Sequence, residues 1–326
     1  MIKEAILNSE KEKVKEFLLK FDLNYESSVD LTLYIEDNDE IIGTVSKENY
    51  IIKCLAVDKN HQGENLASTL VSEIISRMLY EGKTYYQVFT KKMYLNTFLN
   101  LGFSEIISTE NTCVLESSSF TIDDYLKREI KKINFYTDDV ASLVVNCNPI
   151  TKGHLYLMEK ACQEHDHVIV FVLEEDKSYF TFQERFSLVY LATKHLSNIT
   201  ILPSSHYIIS SLTFPSYFMK DKTMKNEEFA RIDVGIFKKY FMKYFNIKYR
   251  YVGTETDEVM QIYNKVLKEE LKDNLLEFER YNAISASKVR ALINEGKVEE
   301  ASLYVPDAIQ LLFQKIAKDK IKESTL

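Results

Sequence analysis

The period of the hydrophobic positions changes several times along the chain, and each change marks an element. Residues 31–35 and 41–45 form two short apolar-rich segments either side of the turn-like Asp37-Asn38-Asp39, which predicts a β-hairpin. Residues 51–57 predict another strand, leading through 58–64 into a helix over 66–80. There Leu66, Leu70, Ile74, Ile75 and Met78 recur at helical spacing. Residues 85–90 predict a strand and 92–101 a short helix ended by Gly102. The order β-β-β-α-β-α is that of a small α/β domain ending near residue 120.

From 116 to 139 the chain turns polar and helical, with Thr121 or Asp123 as the cap, and is expected to link two domains. The compact apolar run 140–145 resembles a buried parallel strand. It stops at Asn146, a helix begins near Gly153, and a strand follows at 167–173, which together make a βαβ unit. Further strands at 199–202 and 249–252 alternate with helices, so a doubly wound parallel sheet is predicted for the second half. The expected division is 1–120, a linker helix over 121–138, and 139–326.

Composition changes this picture little. With 326 residues, 45% hydrophobic and 28% charged, the chain suits two folded domains. The 41 basic against 49 acidic residues give a formal charge of −8, which argues against nonspecific binding to nucleic acid or anionic membrane. The charged first residues lack a signal-peptide core, and no apolar run is long enough to span a bilayer. Cys54, Cys113, Cys147 and Cys162 show neither paired nor metal-ligand spacing, so they read as reduced thiols and no residue is assigned to a metal. A cytoplasmic protein is expected.

Two segments carry candidate chemistry. Asn146-Cys147-Asn148-Pro149-Ile150-Thr151-Lys152-Gly153-His154 sits at the carboxyl end of the first strand of the second sheet, where ligands of such folds bind. Free amide N–H groups at the helix start would attract an anion, Gly153 would admit a phosphate close to the backbone, and Thr151 and His154 would share one helical face. The second segment, Ile284-Ser285-Ala286-Ser287-Lys288-Val289-Arg290, places hydroxyls and cations around another helix start, suited to polyphosphate. Taken singly, the first also reads as a simple strand-to-helix turn with a structural histidine, and the second as an N-cap serine with ordinary surface basic residues. Together they make one site if both border the same strand ends.

This pair resembles the nucleotidyltransferase superfamily, with its (H/T)xGH and ISxSxxR signatures. Residues 143–160, 176–189, 204–218 and 250–267 are further similar to the ligases that activate citrate lyase. The first half resembles a GNAT-type acetyltransferase domain, which those ligases also carry. The resemblance implies a GNAT-like α/β domain followed by an HxGH-type nucleotidyltransferase domain. It implies a reaction in which ATP, with Mg2+, and acetate give acetyl-adenylate and pyrophosphate. The acetyl group then passes to the prosthetic-group thiol of the citrate lyase acyl-carrier subunit.

Carried over residue by residue, Thr151 and His154 would contact the phosphates, with His154 at the α–β bridge. The backbone at Asn146 and Cys147 would touch the nucleotide, with Cys147 a packing residue and not a nucleophile. Gly253, Thr254 and Glu255 would lie near ribose or adenine. Ser285, Ser287 and Arg290, with Lys288, would hold the β and γ phosphates. Ser178 and Arg185 fall in a matching stretch, Arg185 either on the triphosphate or substrate carboxylate or paired with a nearby acid such as Glu184. Tyr207 and residues 213–218 would line the acid pocket. Acetate is already ionised at neutral pH, so no general base is required.

In the first domain, Gln62-Gly63-Glu64-Asn65-Leu66-Ala67 matches the loop on which GNAT enzymes cradle acetyl-coenzyme A. Asn65 stands where the pattern has its central glycine, and a noncatalytic role is expected. Two other functions fit the motifs: an adenylyltransferase of the phosphopantetheine type, and a nonenzymatic ATP-responsive module of the lyase complex.

Overall fold

A computed structural model describes residues 1–117, 119–133, 135–174, 178–209, 214–215, 217–219, 221–255, 257–279 and 284–324. The chain divides into two compact units, one of residues 1–125 with 215–232, the other of 126–214 with 233–326.

The first unit is built on β1 (Ile2–Glu4), β2 (Leu31–Asp37), β3 (Glu40–Glu48), β4 (Ile51–Val57), β5 (Gln87–Lys91), β6 (Phe103–Ser108) and β7 (Thr112–Ser117), in the order β1-β2-β3-β4-β5-β7-β6. The predicted hairpin is β2–β3, whose tip takes left-handed torsions at Asn38 and Asp39. Helices α1 (Asn8–Leu19), α2 (Leu66–Tyr80) and α3 (Leu95–Asn100) accompany the sheet. The apolar stripe of α2, Leu70, Val71, Ile74 and Met78, joins Leu33, Val45, Val88 and Leu115 in one buried cluster. Burying one such side chain contributes about 1.5–3 kcal/mol, which is why this stripe fixes the helix on the sheet.

The chain then forms α4 (Ile122–Glu129), where Thr121 and Asp124 bond reciprocally at the N-terminus. The second unit carries a five-stranded, wholly parallel sheet of β8 (Val140–Val145), β9 (His167–Val172), β10 (Ile199–Pro203), β11 (Ile247–Gly253) and β12 (Leu275–Phe278). Its order is β10-β9-β8-β11-β12. This is the doubly wound α/β fold expected. Helices α5 (Lys152–Glu164) and α6 (Phe182–Ala192) pack on one face, as do α10 (Ala286–Asn294), α11 (Val298–Ser302) and α12 (Gln310–Ser324). Helix α7 (Lys222–Ile236) starts in the first unit's segment and ends in the second's, which also holds α8 (Met242–Tyr244) and α9 (Glu258–Leu271); Phe171 on the opposite face of β9 meets Phe241 and Phe245 edge-on.

Strand order reverses at β8, whose neighbours are β9 on one side and β11 on the other. The crevice outside the carboxyl ends of β8 and β11 is therefore the switch point at which such sheets bind ligands.

Candidate active site

The chain leaves β8 at Asn146, and Cys147 takes a left-handed φ of 48° with its side chain buried. Burial also pushes its thiol far above the ordinary value, which disfavours the nucleophilic thiolate. The turn ends at Thr151, the N-cap of α5. The Thr151 N–H donates to His154 Nδ1 at 3.0 Å, the Thr151 hydroxyl lies 2.8 Å from the same nitrogen, and Thr151 Oγ1 in turn accepts the His154 N–H. A backbone N–H can only donate, so Nδ1 is an acceptor, and the ring is neutral with its proton on Nε2. Local capping thus turns His154 into a donor at Nε2.

The second segment folds the same way. Ser285 caps α10 by accepting the Lys288 N–H at 3.2 Å. One turn on, Arg290 Nη2 donates to Ser287 Oγ at 3.2 Å, while Nη1 donates to the carbonyl of Asn148. That bond spans 142 residues of sequence and ties the two motifs together. Burial lowers the Arg290 pKa, yet an arginine remains a cation there. Lys288 is exposed, its Nζ 4.4 Å from the Tyr304 ring centre.

Of the other expected residues, Ser178 and Arg185 contact the same turn. Asn146 and Ser178 face each other at 3.3 Å through their side chains. Arg185 is fully buried, and donates from Nη1 to Asn146 O at 2.9 Å and from Nε to Phe180 O at 3.1 Å. Its expected partner Glu184 instead accepts the Thr181 N–H and pairs with Lys320 at 3.0 Å. Gly253, Thr254 and Glu255 leave the end of β11 beside β8. Gly253 O accepts from Asn264, and the Thr254 N–H donates to Phe278 O. Tyr207 is fully buried on the segment after the edge strand β10, its N–H on Ser205 Oγ. Of the expected acid-pocket residues 213–218, positions 213 and 216 lie outside the described residues, as do 175–177 of the stretch before Ser178.

The family described as the citrate lyase ligase C-terminal domain matches residues 140–312, which span both motifs. The chain belongs to this citrate lyase ligase family. Over 312 residues it is 30% identical to the [citrate [pro-3S]-lyase] ligase of Escherichia coli K12, covering 92% of this chain and 89% of that protein. The corresponding ligase of Haemophilus influenzae is 34% identical, with 83% and 84% covered. A phosphopantetheine adenylyltransferase of Clostridium botulinum matches 40% of this chain at 28% identity. The family assignment therefore favours the ligase over the phosphopantetheine-type reading. A GNAT-family acetyltransferase from Staphylococcus aureus Mu50 aligns with 36% of the chain at 15% identity and a TM-score of 0.31.

Two residues beside this candidate site have no counterpart among the expected ones. Asn148 receives Arg290 on its carbonyl and the Phe180 N–H on Oδ1 at 3.0 Å, which makes it the hub of the turn. Tyr304 accepts the Lys152 N–H at 2.9 Å while its ring lies under Lys288. Asn148 stood inside the motif, and its position between a strand end and a proline was the available signal. Tyr304 had none.

The helix starts also differ from expectation. At α5, the amides of Thr151, Lys152 and His154 are bonded within the protein, and of that turn only the Gly153 N–H has no acceptor among the described residues. At α10, the amides of Ala286 and Ser287 both lack one among the described residues. Among the described residues, no three His, Cys, Asp or Glu side chains come together as a metal cage, and no helix is long and apolar enough to cross a membrane.

Proposed function

We propose that the second unit binds ATP across the ends of β8 and β11 and joins it to acetate, giving acetyl-adenylate and pyrophosphate. An acetate oxygen attacks the α phosphorus while the bond to the β-phosphate bridging oxygen breaks. The thiol of an acyl-carrier prosthetic group then attacks the acetyl carbon, losing its proton to solvent, and AMP leaves. The observation that carries this reading is the bond from Arg290 to Asn148, which brings the donors of both motifs to one strand end.

Each residue then has a physical task. His154 donates from Nε2 to the bridging region, as a neutral hydrogen-bond donor and not a full charge. Thr151 fixes that ring. Positive charge for the β and γ phosphates comes from Arg290 and Lys288, with the amides of Ala286 and Ser287 and the Ser285 and Ser287 hydroxyls beside them. Gly153 admits a phosphate to its amide, and Gly253, Thr254 and Glu255 lie where the nucleoside would rest. Preorganised donors of this kind suit a step that needs charge screened and atoms aligned, not a proton removed. Among the described residues no three carboxylate, imidazole or thiol groups form a metal cage, so magnesium would enter with the triphosphate and would supply charge screening on the phosphates. Ser178 acts through Asn146.

The test is pyrophosphate release from ATP, magnesium and acetate, with and without the thiol form of the carrier, in wild type and His154→Ala. Release that depends on acetate, turns over only with the carrier and falls by about 10²–10³-fold in the variant supports the reading. Release with 4′-phosphopantetheine in place of acetate would replace it, and ATP binding without any release would sink catalysis altogether.

A further inference from the structure

The resemblance of residues 62–67 to the acetyl-coenzyme A loop raises the question whether the first unit holds that cofactor. Its sheet contains a place where an extended ligand would fit. β4 and β5 run parallel but pair only at Ile51↔Gln87 and Ile52↔Val88. The cause lies in β4: between Lys53 and Ala56 it carries one residue more than β3 opposite, and Cys54 takes a left-handed φ of 55°. A bulge bends its strand away from the partner. Past the bulge β4 stays with β3, whereas β5 continues beside β7 through Lys91. Backbone groups along such a seam need partners, from a ligand or from the protein.

The protein supplies one. Tyr217, from the 215–232 segment that belongs to this unit, is buried at the seam. Its hydroxyl donates to Phe89 O of β5 at 2.7 Å, and its carbonyl accepts the Asn24 N–H at 2.8 Å. Asn24 O in turn lies 3.6 Å from Cys54 Sγ at the bulge. Lys53 closes the other side, its Nζ 5.9 Å from the Tyr217 ring centre and bonded to Glu26 and Glu48, each at 2.6 Å. Lys53, Cys54, Phe89 and Tyr217 are all buried. Asn65, which stands where the loop pattern has glycine, takes a left-handed φ of 58° and adds a side chain where a phosphate would approach the backbone.

We infer that the first unit holds no acetyl-coenzyme A between β4 and β5, because the chain's own Tyr217 closes that seam. The unit keeps an acetyltransferase-like sheet whose ligand seam has become core.

Two measurements on the full-length protein decide it. Equilibrium dialysis with labelled acetyl-coenzyme A, with and without saturating ATP, separates the two units, since binding displaced by ATP belongs to the second. The inference expects no saturable binding that survives ATP; a site that survives it overturns the inference. The second readout is the rate at which a thiol reagent modifies Cys54, located by peptide mass spectrometry, in wild type, Tyr217→Phe and Tyr217→Ala. Tyr217→Phe keeps the ring in the seam and should leave Cys54 protected. Tyr217→Ala should expose it at least roughly tenfold faster, by lowering the cost of local opening, with added p-cresol restoring protection. Wild-type Cys54 reacting as fast as in Tyr217→Ala would show that the seam is open and would equally overturn the inference.

Discussion

Replacing Arg185 by methionine separates a ligand-binding arginine from one that shapes the turn. The side chain is fully buried and donates to two main-chain carbonyls, Asn146 O and Phe180 O. Hydrogen bonds from a charged group contribute about 1.5–3 kcal/mol each, so two lost bonds cost ~3–6 kcal/mol gross. Removing a buried charge returns part of that, because its desolvation cost disappears as well. A net loss of about 2–4 kcal/mol remains, with methionine filling most of the volume. For a unit of this size that lowers Tm by roughly 5–15 °C. Catalysis should suffer through geometry. Asn146 begins the turn that ends in His154, and a displacement of about 1 Å can cost ~10²-fold in rate. The assay pairs a thermal melt with steady-state pyrophosphate release at varied ATP and acetate. The expected pattern is a lower Tm, a kcat reduced by about 10–100-fold, and KM values changed much less. A variant with wild-type Tm and kcat but a KM for ATP or acetate raised tenfold or more would refute the reasoning and make Arg185 a ligand.

Three other outcomes follow from the same geometry. Thr151→Val removes the cap but leaves the main-chain N–H on Nδ1, so stability should fall by about 1 kcal/mol in a urea titration while pyrophosphate release drops only about tenfold. Arg290→Lys offers one point donor where the guanidinium reaches both Asn148 O and Ser287 Oγ, so kcat/KM for ATP should fall by about 10²–10³-fold. Burial lowers the His206 imidazole to about 3. The unfolded chain, with an ordinary value near 6.5, therefore binds a proton the native state refuses. This contribution to stability is complete above about pH 6.5 and is lost at up to about 1.4 kcal/mol per pH unit on going down towards 3. Urea unfolding of His206→Gln against wild type between pH 7 and 4 should show a shallower acid decline; equal slopes would exclude the effect.

The parts of this molecule legible in its sequence are those written in local signals. Strand 140–145 and helix 66–80 stand where their apolar periods placed them, because a run or a stripe of buried side chains needs no distant partner to be recognised. Both motifs contain a helix cap, Thr151 with His154 and Ser285 with Lys288, and caps lie within four residues of sequence. What stayed hidden depends on distant contacts. Strand β7 pairs with both β5 and β6 in a stretch where the apolar pattern marked no strand, and β12 is only four residues long. Nothing local shows that residues 215–232 return to the first unit, where Glu228 accepts from Thr109 and Asn111, more than a hundred residues away. Arg185 was expected to reach a ligand or an acid, because most helical arginines do. Its burial follows from carbonyls on other segments that have no sequence signature.

The use of amide donors at the two helix starts divides the work of the proposed site. A helix start offers about four unbonded N–H groups, and an anion can be held only by those the protein has not used. At α5 three of the amides around Thr151 are committed, two of them within the Thr151–His154 box and one to Tyr304. That commitment sets the tautomer and direction of His154, so α5 contributes one aimed donor at Nε2 and the Gly153 amide in place of a broad anion cup. At α10 the cap uses only the Lys288 amide and the next amide bonds to Ser285 O, leaving Ala286 and Ser287 beside Arg290 and Lys288. The richer set of donors and charge thus belongs to the helix assigned to the β and γ phosphates, which leave as pyrophosphate and carry the larger charge. The helix assigned to the α–β bridge offers one oriented side-chain donor and one amide. On the proposed reading, charge grows on the leaving group as the bridging bond breaks, so this placement would stabilise the transition state more than bound ATP, which is the condition for raising kcat and not merely lowering KM.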